Sequence, residues 1–368
     1  MNHDVRDDDV YDRLAAALDG LANGFPRTAS NVELRILRRV FTRDEAEVAA
    51  ALTGRPATDD EVARRAALEP GRVTATLRSL AERGVIWTAA HAAVDEHGQA
   101  DEGVRYRLAP FIVGFYEAHL LATRDAEFAR LVEDYLRGGG AVGIMSAQPP
   151  IHRVLPARGA TETEWVLPYD DVRAILQTAT SFGVEPCVCR LQQDELGTRR
   201  CDFPIEACLW FSFAEASDET KAVSREEAMA VLDEAERVGL VHTVSDVARG
   251  IGYVCNCCGC CCGLLRGINE WGIEHSVARA NYYAEIDVAA CTACGICEER
   301  CQVRAIGEGN GGVRVVDRSR CIGCGLCVTG CPDEAARLRR RPDEEIVAPP
   351  ATFGTWERRR LAGRRRAL

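Results

Sequence analysis

Two stretches, IDVAACTACGICEERCQVRAI (Ile286–Ile306) and VDRSRCIGCGLCVTGCPDEAA (Val316–Ala336), align without a gap. Every cysteine of the first recurs in the second at one constant offset: Cys291 as Cys321, Cys294 as Cys324, Cys297 as Cys327 and Cys301 as Cys331. Gly295 recurs as Gly325, and Asp287 as Asp317. The pattern reads as a duplicated unit of strand, cysteine loop and short helix. Each loop has the spacing C-x2-C-x2-C-x3-C, a thiol density that no packed core requires.

Three thiolates at i, i+3 and i+6 on a tight loop can converge on one side of an iron–sulfur cube, each at its own iron. Backbone N–H groups of such a loop point at the inorganic sulfides, and Gly295 and Gly325 allow close approach or positive φ. Structural zinc prefers two separated cysteine pairs closing one tetrahedron, which two identical sets of this form do not match. The repeat resembles the bacterial two-[4Fe-4S] ferredoxin domain over about residues 282–340. The resemblance implies two [4Fe-4S] clusters, the first on Cys291, Cys294, Cys297 and Cys331, the second on Cys321, Cys324, Cys327 and Cys301. Pro332 follows Cys331 as in that family, whereas Gln302 stands where the first repeat often has proline.

Ten of the 18 cysteines lie upstream. PCVCRLQQDELGTRRCDFPIEAC (Pro186–Cys208) supplies Cys187, Cys189, Cys201 and Cys208; VCNCCGCCCG (Val254–Gly263) supplies Cys255, Cys257, Cys258, Cys260, Cys261 and Cys262. Such density in a chain expected to be cytoplasmic favours metal over disulfides. These ten are expected to hold one or two further iron–sulfur clusters, with zinc on Cys187, Cys189, Cys201 and Cys208 as the alternative. Side chains of an extended segment alternate sides, so the run 260–262 must coil or serve two sites. Gly259 and Gly263 supply freedom to bend. Arg190 is placed to offset thiolate charge, and His242 is weighed as a ligand against simple placement at a helix end.

Upstream of the cysteines, residues 31–53 read as a helix, and Thr58–Leu68 as a second opened by the capping box Thr58/Glu61. A third carries Val73, Leu77 and Leu80 on one face and stops at Gly84. GVIWTAAHA and VRYRLA then read as strands joined by the polar loop 95–103. Helix, turn, helix and hairpin over residues 31–110 resemble a winged-helix domain. Residues 111–137 read as helical, and so do Asp170–Phe182 and Ser224–Gly239. GGGAVG at 138–143 fits a dinucleotide fingerprint in letters alone, because it lacks a preceding strand and a following helix; it reads as a linker.

The fold class expected is therefore α+β and multidomain. Residues 1–110 form a winged-helix-like domain, 111–183 a helical connector and 184–275 a cysteine-rich domain. The two-cluster domain takes 276–340, and a basic tail 341–368.

Net charge is −11, so nonspecific nucleic-acid binding by the whole chain is disfavoured. Over 57–90 five arginines meet five acidic residues, a poor match to phosphate. The tail, with ten arginines after residue 334, reads as a solvated end. No apolar run is long enough to span a membrane, and the acidic N-terminus is unlike a signal peptide. No motif supplies substrate chemistry. The reading that follows is an electron-transfer protein or subunit working with a flavoprotein or reductase. The alternative is a redox-sensing regulator that binds DNA.

Overall fold

The computed structural model describes residues 4–90, 93–94, 100–101, 104–161, 169–177, 179–213 and 222–367. The chain divides into two compact units, Met1–Ile144 and Met145–Leu368.

The first unit opens with α1 (Asp4–Asp19). The single helix expected over 31–53 is two, α2 (Val32–Val40) and α3 (Arg43–Ala49). The break has a local cause. Phe41 is extended, and the Thr42 hydroxyl accepts the Glu45 N–H in a capping box that starts a new helix. The Thr58/Glu61 capping box opens α4 (Asp59–Ala66), as its letters indicate. Glu69 caps α5 (Pro70–Glu82), whose Val73, Leu77 and Leu80 are buried. Strand β1 (Ile86–Ala90) runs towards β2 (Ala93–Val94) and β3 (Ala100–Asp101), and β4 (Val104–Leu108) returns antiparallel to β1. Most of the polar loop at 95–103, and the strand end at 91–92, lie outside the described residues.

The long helix expected over 111–137 is also broken. Ile112–Gly114 are non-helical, α6 (Tyr116–Thr123) ends at a left-handed Arg124, and Asp125 caps α7 (Ala126–Tyr135). Phe25, Phe111, Phe115 and Tyr135 form the aromatic core here, with neighbouring ring centroids 5.0–6.1 Å apart. Two of the four glycines at 138–143 serve packing. A Cβ on Gly140 would meet the Tyr135 ring at 2.6 Å, and one on Gly143 would meet Pro26 at 2.4 Å. The short α8 (Ala141–Met145) follows.

The second unit is built on a seven-stranded sheet. Its strands are β5 (His152–Val154), β6 (Ser181–Pro186), β7 (Glu206–Ser212), β8 (Ala222–Val223), β9 (Val241–Ser245), β10 (Tyr253–Cys257) and β11 (Val277–Ala278). They lie in the order β11-β5-β9-β10-β7-β6-β8, antiparallel except for the β11–β5 pair. Two sequence expectations are corrected here. The segment 111–183 is no purely helical connector, since it contributes β5 and the start of β6. The helix expected over Asp170–Phe182 is only α9 (Val172–Gln177), and Ser181 already begins a strand. Gly183 lies flat under Trp210, where a Cβ would come within 2.2 Å of the indole nitrogen. A small residue is what the sheet face needs there, and helix periodicity does not register it.

Helix α10 (Val188–Glu195) follows β6 directly, and α11 (Arg225–Val238) has the expected Ser224/Glu227 capping box and a left-handed Gly239 at its end. Helix α12 (Gly263–Glu270) leaves the cysteine run. The duplicated segment then forms two antiparallel strand pairs. Strand β12 (Tyr282–Ile286) pairs with β15 (Ala336–Arg340), and β13 (Ile306–Glu308) with β14 (Arg314–Val316). Each repeat contributes one strand to each pair.

The basic tail is corrected as well. Phe353–Ala367 is a helix, α15, docked through Trp356, Arg360 and Gly363 at i, i+4 and i+7. Trp356 Nε1 donates to the Pro150 carbonyl at 2.7 Å, fully buried Arg360 donates to the Ala147 carbonyl at 2.7 Å, and a Cβ on Gly363 would meet the Gln148 carbonyl at 2.2 Å. The packed face consists of a tryptophan, an arginine and a glycine, so apolar patterning missed it.

Candidate metal centres

The sequence repeat is also a backbone repeat. Ala293 and Gly323, Gly295 and Gly325, and Arg304 and Glu334 all have φ between 52° and 84°. The members of each pair are separated by the same offset as the paired cysteines. Matching hydrogen bonds join Cys291 N–H to the Asp287 carbonyl and Cys321 N–H to the Asp317 carbonyl, both at 3.0 Å. Gly295 and Gly325 start the short helices α13 (Ile296–Glu299) and α14 (Leu326–Thr329). At Gly325 close approach matters too, since a Cβ would lie 2.5 Å from the Ala160 side chain.

Cys291, Cys294, Cys297 and Cys331 line one small cavity. Cys301, Cys321, Cys324 and Cys327 are mutual electrostatic neighbours. Burial pushes the Cys324 thiol up to about 12 and raises those of Cys301 and Cys327. A thiolate so placed needs a bound cation to exist at neutral pH. Two backbone N–H groups already point at sulfur, Ala305 at Cys301 (3.1 Å) and Ala284 at Cys321 (3.4 Å). Such bonds favour the electron-rich state of a bound cluster. Both sets therefore fit an iron–sulfur cube in number, and the second fits one in burial and backbone chemistry as well.

The ten upstream cysteines fall into two sets that spacing did not reveal. Strand β10 places Cys255 and Cys257 on one face by its period of two, and the chain then turns sharply through Cys258–Cys262. Sulfur neighbours form a closed ring of six: Cys187–Cys189–Cys262–Cys257–Cys255–Cys208 and back to Cys187. The other four, Cys201, Cys258, Cys260 and Cys261, have sulfurs within 4.8 Å of one another. The zinc set weighed from sequence, Cys187, Cys189, Cys201 and Cys208, is thereby corrected. Cys201 sits on the loop after α10 and joins the later turn, while the other three belong to the ring.

Arg190 lies between the two sets and is fully buried. It donates to the Asn256 carbonyl at 3.1 Å and approaches Cys258 Sγ at 3.8 Å, while its Nε and Nη2 have no hydrogen-bond partner. Burial opposes its charge, but Cys187, Cys258 and Cys208 outweigh that and hold it protonated. An orphaned buried guanidinium beside clustered thiols is a cradle for a negatively charged metal–sulfur centre. His242 is no ligand. It is buried in β9, with Nδ1 bonded to Asn256 and Nε2 3.3 Å from Glu236.

The cysteine turn is tied to the duplicated segment by the residue that departs from the family pattern. The Gly259 N–H donates to Gln302 Oε1 at 2.8 Å, and Asn269 Nδ2 donates to both the Gly259 and Gln302 carbonyls at 3.0 and 2.9 Å. Proline at 302 would lack that acceptor. Arg300 makes a second tie, donating to the Leu326 carbonyl and to the Glu236 and Arg237 carbonyls at the end of α11.

Sequence reasoning also missed a cavity of about 530 Å³, lined by Arg153, Asp170, Asp246, Arg279, Asn281 and Arg341 among others. Arg153 pairs with Asp170 at 2.9 Å, and burial pushes Asp170 and Asp246 up to about 6. Its lining comes from segments far apart in the chain, from Arg153 to Arg341, so no local pattern announces it.

Among the described residues, no helix is long and apolar enough to cross a membrane. In a search of curated proteins nothing matches the chain. A family model for a 4Fe-4S dicluster domain matches residues 290–336, so the chain carries a ferredoxin-type iron–sulfur domain in that segment.

Proposed function

We propose that the protein is an electron-transfer protein, or the electron-transfer subunit of a larger oxidoreductase. Cys291, Cys294, Cys297 and Cys331 hold one [4Fe-4S] cluster, and Cys321, Cys324, Cys327 and Cys301 the other. A further iron–sulfur centre occupies the six-sulfur ring beside Arg190. The observation that carries this reading is the repeated pair of cysteine loops, in which sulfur spacing, left-handed residues and N–H contacts all recur at one period. When bound, such clusters accept and release single electrons without bond rearrangement in the protein.

The chain's own residues set the route. Cys294 is exposed, so the first cluster's site meets solvent and offers a docking point for a redox partner such as a flavoprotein. Cys321 and Cys327 of the second site are buried. From Cys301 the path continues through the Gln302 side chain and its hydrogen bond to Gly259, into the turn that carries the upstream cysteines.

The DNA-binding alternative loses support. On α5, Arg72 is paired with Asp44 at 3.0 Å, and just beyond its end Arg83 is paired with Glu45 at 2.8 Å. These pairs balance the charge that this face would offer to phosphate. The test is anaerobic purification of the full chain, with iron and sulfide analysis and spin-quantified EPR after reduction. Two interacting cubane signals plus a further iron–sulfur signal are expected. A chain that binds only zinc, or cannot be reduced by a flavoprotein donor, ends the proposal.

A further inference from the structure

The sulfur distances show what kind of centre the set of four takes. Four sulfurs on one tetrahedral ion, each about 2.3 Å from the metal, lie about 3.8 Å from one another. Four sulfurs on the corners of a cube each sit one bond outside a different iron, so they lie roughly 6 Å apart. In the set Cys201, Cys258, Cys260 and Cys261 the separations are 4.0 Å (Cys201–Cys258), 3.7 Å (Cys201–Cys261) and 3.6 Å (Cys260–Cys261), with all four sulfurs inside 4.8 Å. Among the described residues no other three cysteine, histidine, aspartate or glutamate ligand atoms come this close together. No three sulfurs among the eight cysteines of the duplicated segment come within 4.8 Å of one another.

We propose that Cys201, Cys258, Cys260 and Cys261 form a tetrathiolate site for a single divalent ion, zinc or ferrous iron, separate from the electron-carrying clusters. Charge supports it. Four thiolates on a divalent ion keep a net negative charge. Three arginines face that charge. Arg190 lies 3.8 Å from Cys258 Sγ; Arg199, which also pairs with Asp194, is a charge neighbour of Cys201; and Arg200, which also pairs with Glu270, donates to the Cys260 carbonyl at 3.4 Å. Arg190 Nε and Nη2 and Arg199 Nε have no partner within the protein. Packing supports it as well. Cys258 and Cys261 belong to a buried cluster with Ala207, Ala235 and Leu240, so β7, α11 and the cysteine turn meet at the site. The ion staples the loop after α10 to the turn after β10. It thereby fixes Gly259, whose N–H bonds Gln302 next to the cluster ligand Cys301. A closed site of this type contributes folding energy and leaves no position for substrate.

The experiment is metal and acid-labile sulfide analysis on the full chain, made anaerobically, as wild type, Cys260→Ser and Cys255→Ser. A mononuclear ion brings no sulfide, whereas a cubane brings one sulfide per iron. Wild type is expected to carry at least one metal more than its sulfide, and Cys260→Ser to lose one metal with no loss of sulfide. If the lost metal is zinc the ion was zinc; if it is iron, the high-spin ferric EPR signal that mild oxidation of the wild type develops disappears with it. Cys255→Ser is expected to keep that ion. Wild-type parity of metal and sulfide overturns the proposal, and so does loss of a whole cluster, or of nothing, from Cys260→Ser. Should Cys260→Ser not accumulate, Cys201→Ser is read in the same way, and the wild-type ratio stands alone as a test. The EPR of the two ferredoxin-type clusters reports on the electron-transfer reading independently, so either can fail without the other.

Discussion

Replacing Gly259 by alanine tests the junction on which the proposed electron path depends. A Cβ at this position would sit 2.0 Å from the Gln302 carbonyl oxygen, 3.0 Å from its carbon and 2.8 Å from Asn269 Nδ2. The first two are backbone, so no side chain can swing away, and the two segments must separate. Separation strains three hydrogen bonds: Gly259 N–H to Gln302 Oε1, and Asn269 to the two carbonyls. At about 1 kcal/mol for each bond and about 1–3 kcal/mol for overpacking, the expected loss is about 4–6 kcal/mol. Gly263 is the control. It begins α12, and the nearest foreign atom to its Cβ would be Met145 Cε at 3.8 Å, an ordinary contact. Gly263→Ala is expected within about 0.5 kcal/mol of wild type, towards stabilisation. Anaerobic denaturant titration, followed by cluster absorbance and far-UV circular dichroism, measures both. Intramolecular electron equilibration after flash reduction should also slow in Gly259→Ala. A Gly259→Ala chain within about 1 kcal/mol of wild type, or a Gly263→Ala chain equally damaged, refutes the reasoning.

Three further outcomes are expected. Arg190→Gln removes a fully buried cation held between two thiol sets, worth about 1.5–3 kcal/mol as a charged hydrogen-bond donor. The potential of the upstream centre should fall by roughly 60–130 mV in an EPR-monitored redox titration; the ferredoxin-type clusters should not move. Trp356→Ala should destabilise the second unit by about 3–5 kcal/mol in a thermal or denaturant melt, because the indole is 2% exposed and its N–H bonds the Pro150 carbonyl. Asp246→Asn concerns pH. Burial pushes Asp246 up to about 6, so the folded chain binds a proton there that the unfolded chain releases near pH 4, and wild-type stability declines between those values. The asparagine chain should match wild type near pH 4 and be more stable above pH 6, by about 1–3 kcal/mol. A stability difference that does not change with pH would show that the aspartate is not buried as described.

Short-range features were legible in the sequence for a physical reason. A ligand loop of C-x2-C-x2-C-x3-C places its sulfurs through the covalent chain alone, and the glycines at 295 and 325 report left-handed backbone wherever that loop occurs. Capping boxes at Thr58 and Ser224 are equally short-range. The same logic fails where one residue interrupts a pattern. Thr42 and Asp125 each begin a new helix inside an apolar periodicity that runs straight on. It fails again at Arg360, which buries its charge by donating to the carbonyls of Ala147 and Pro149, remote from it in the chain.

The amino-acid sequence by itself determined that this chain binds metal through thiols, and how eight of those thiols are spaced on their loops. Only the tertiary structure decided how the remaining ten divide into a ring of six and a set of four. That division depends on a turn after β10 that sends Cys257 and Cys258 to opposite sides, and on a loop that brings Cys201 across to meet the turn at Cys258. Spacing along a chain constrains sulfurs only over a few residues. Beyond that range, sheet pairing and the placement of Arg190 choose which thiols share a centre.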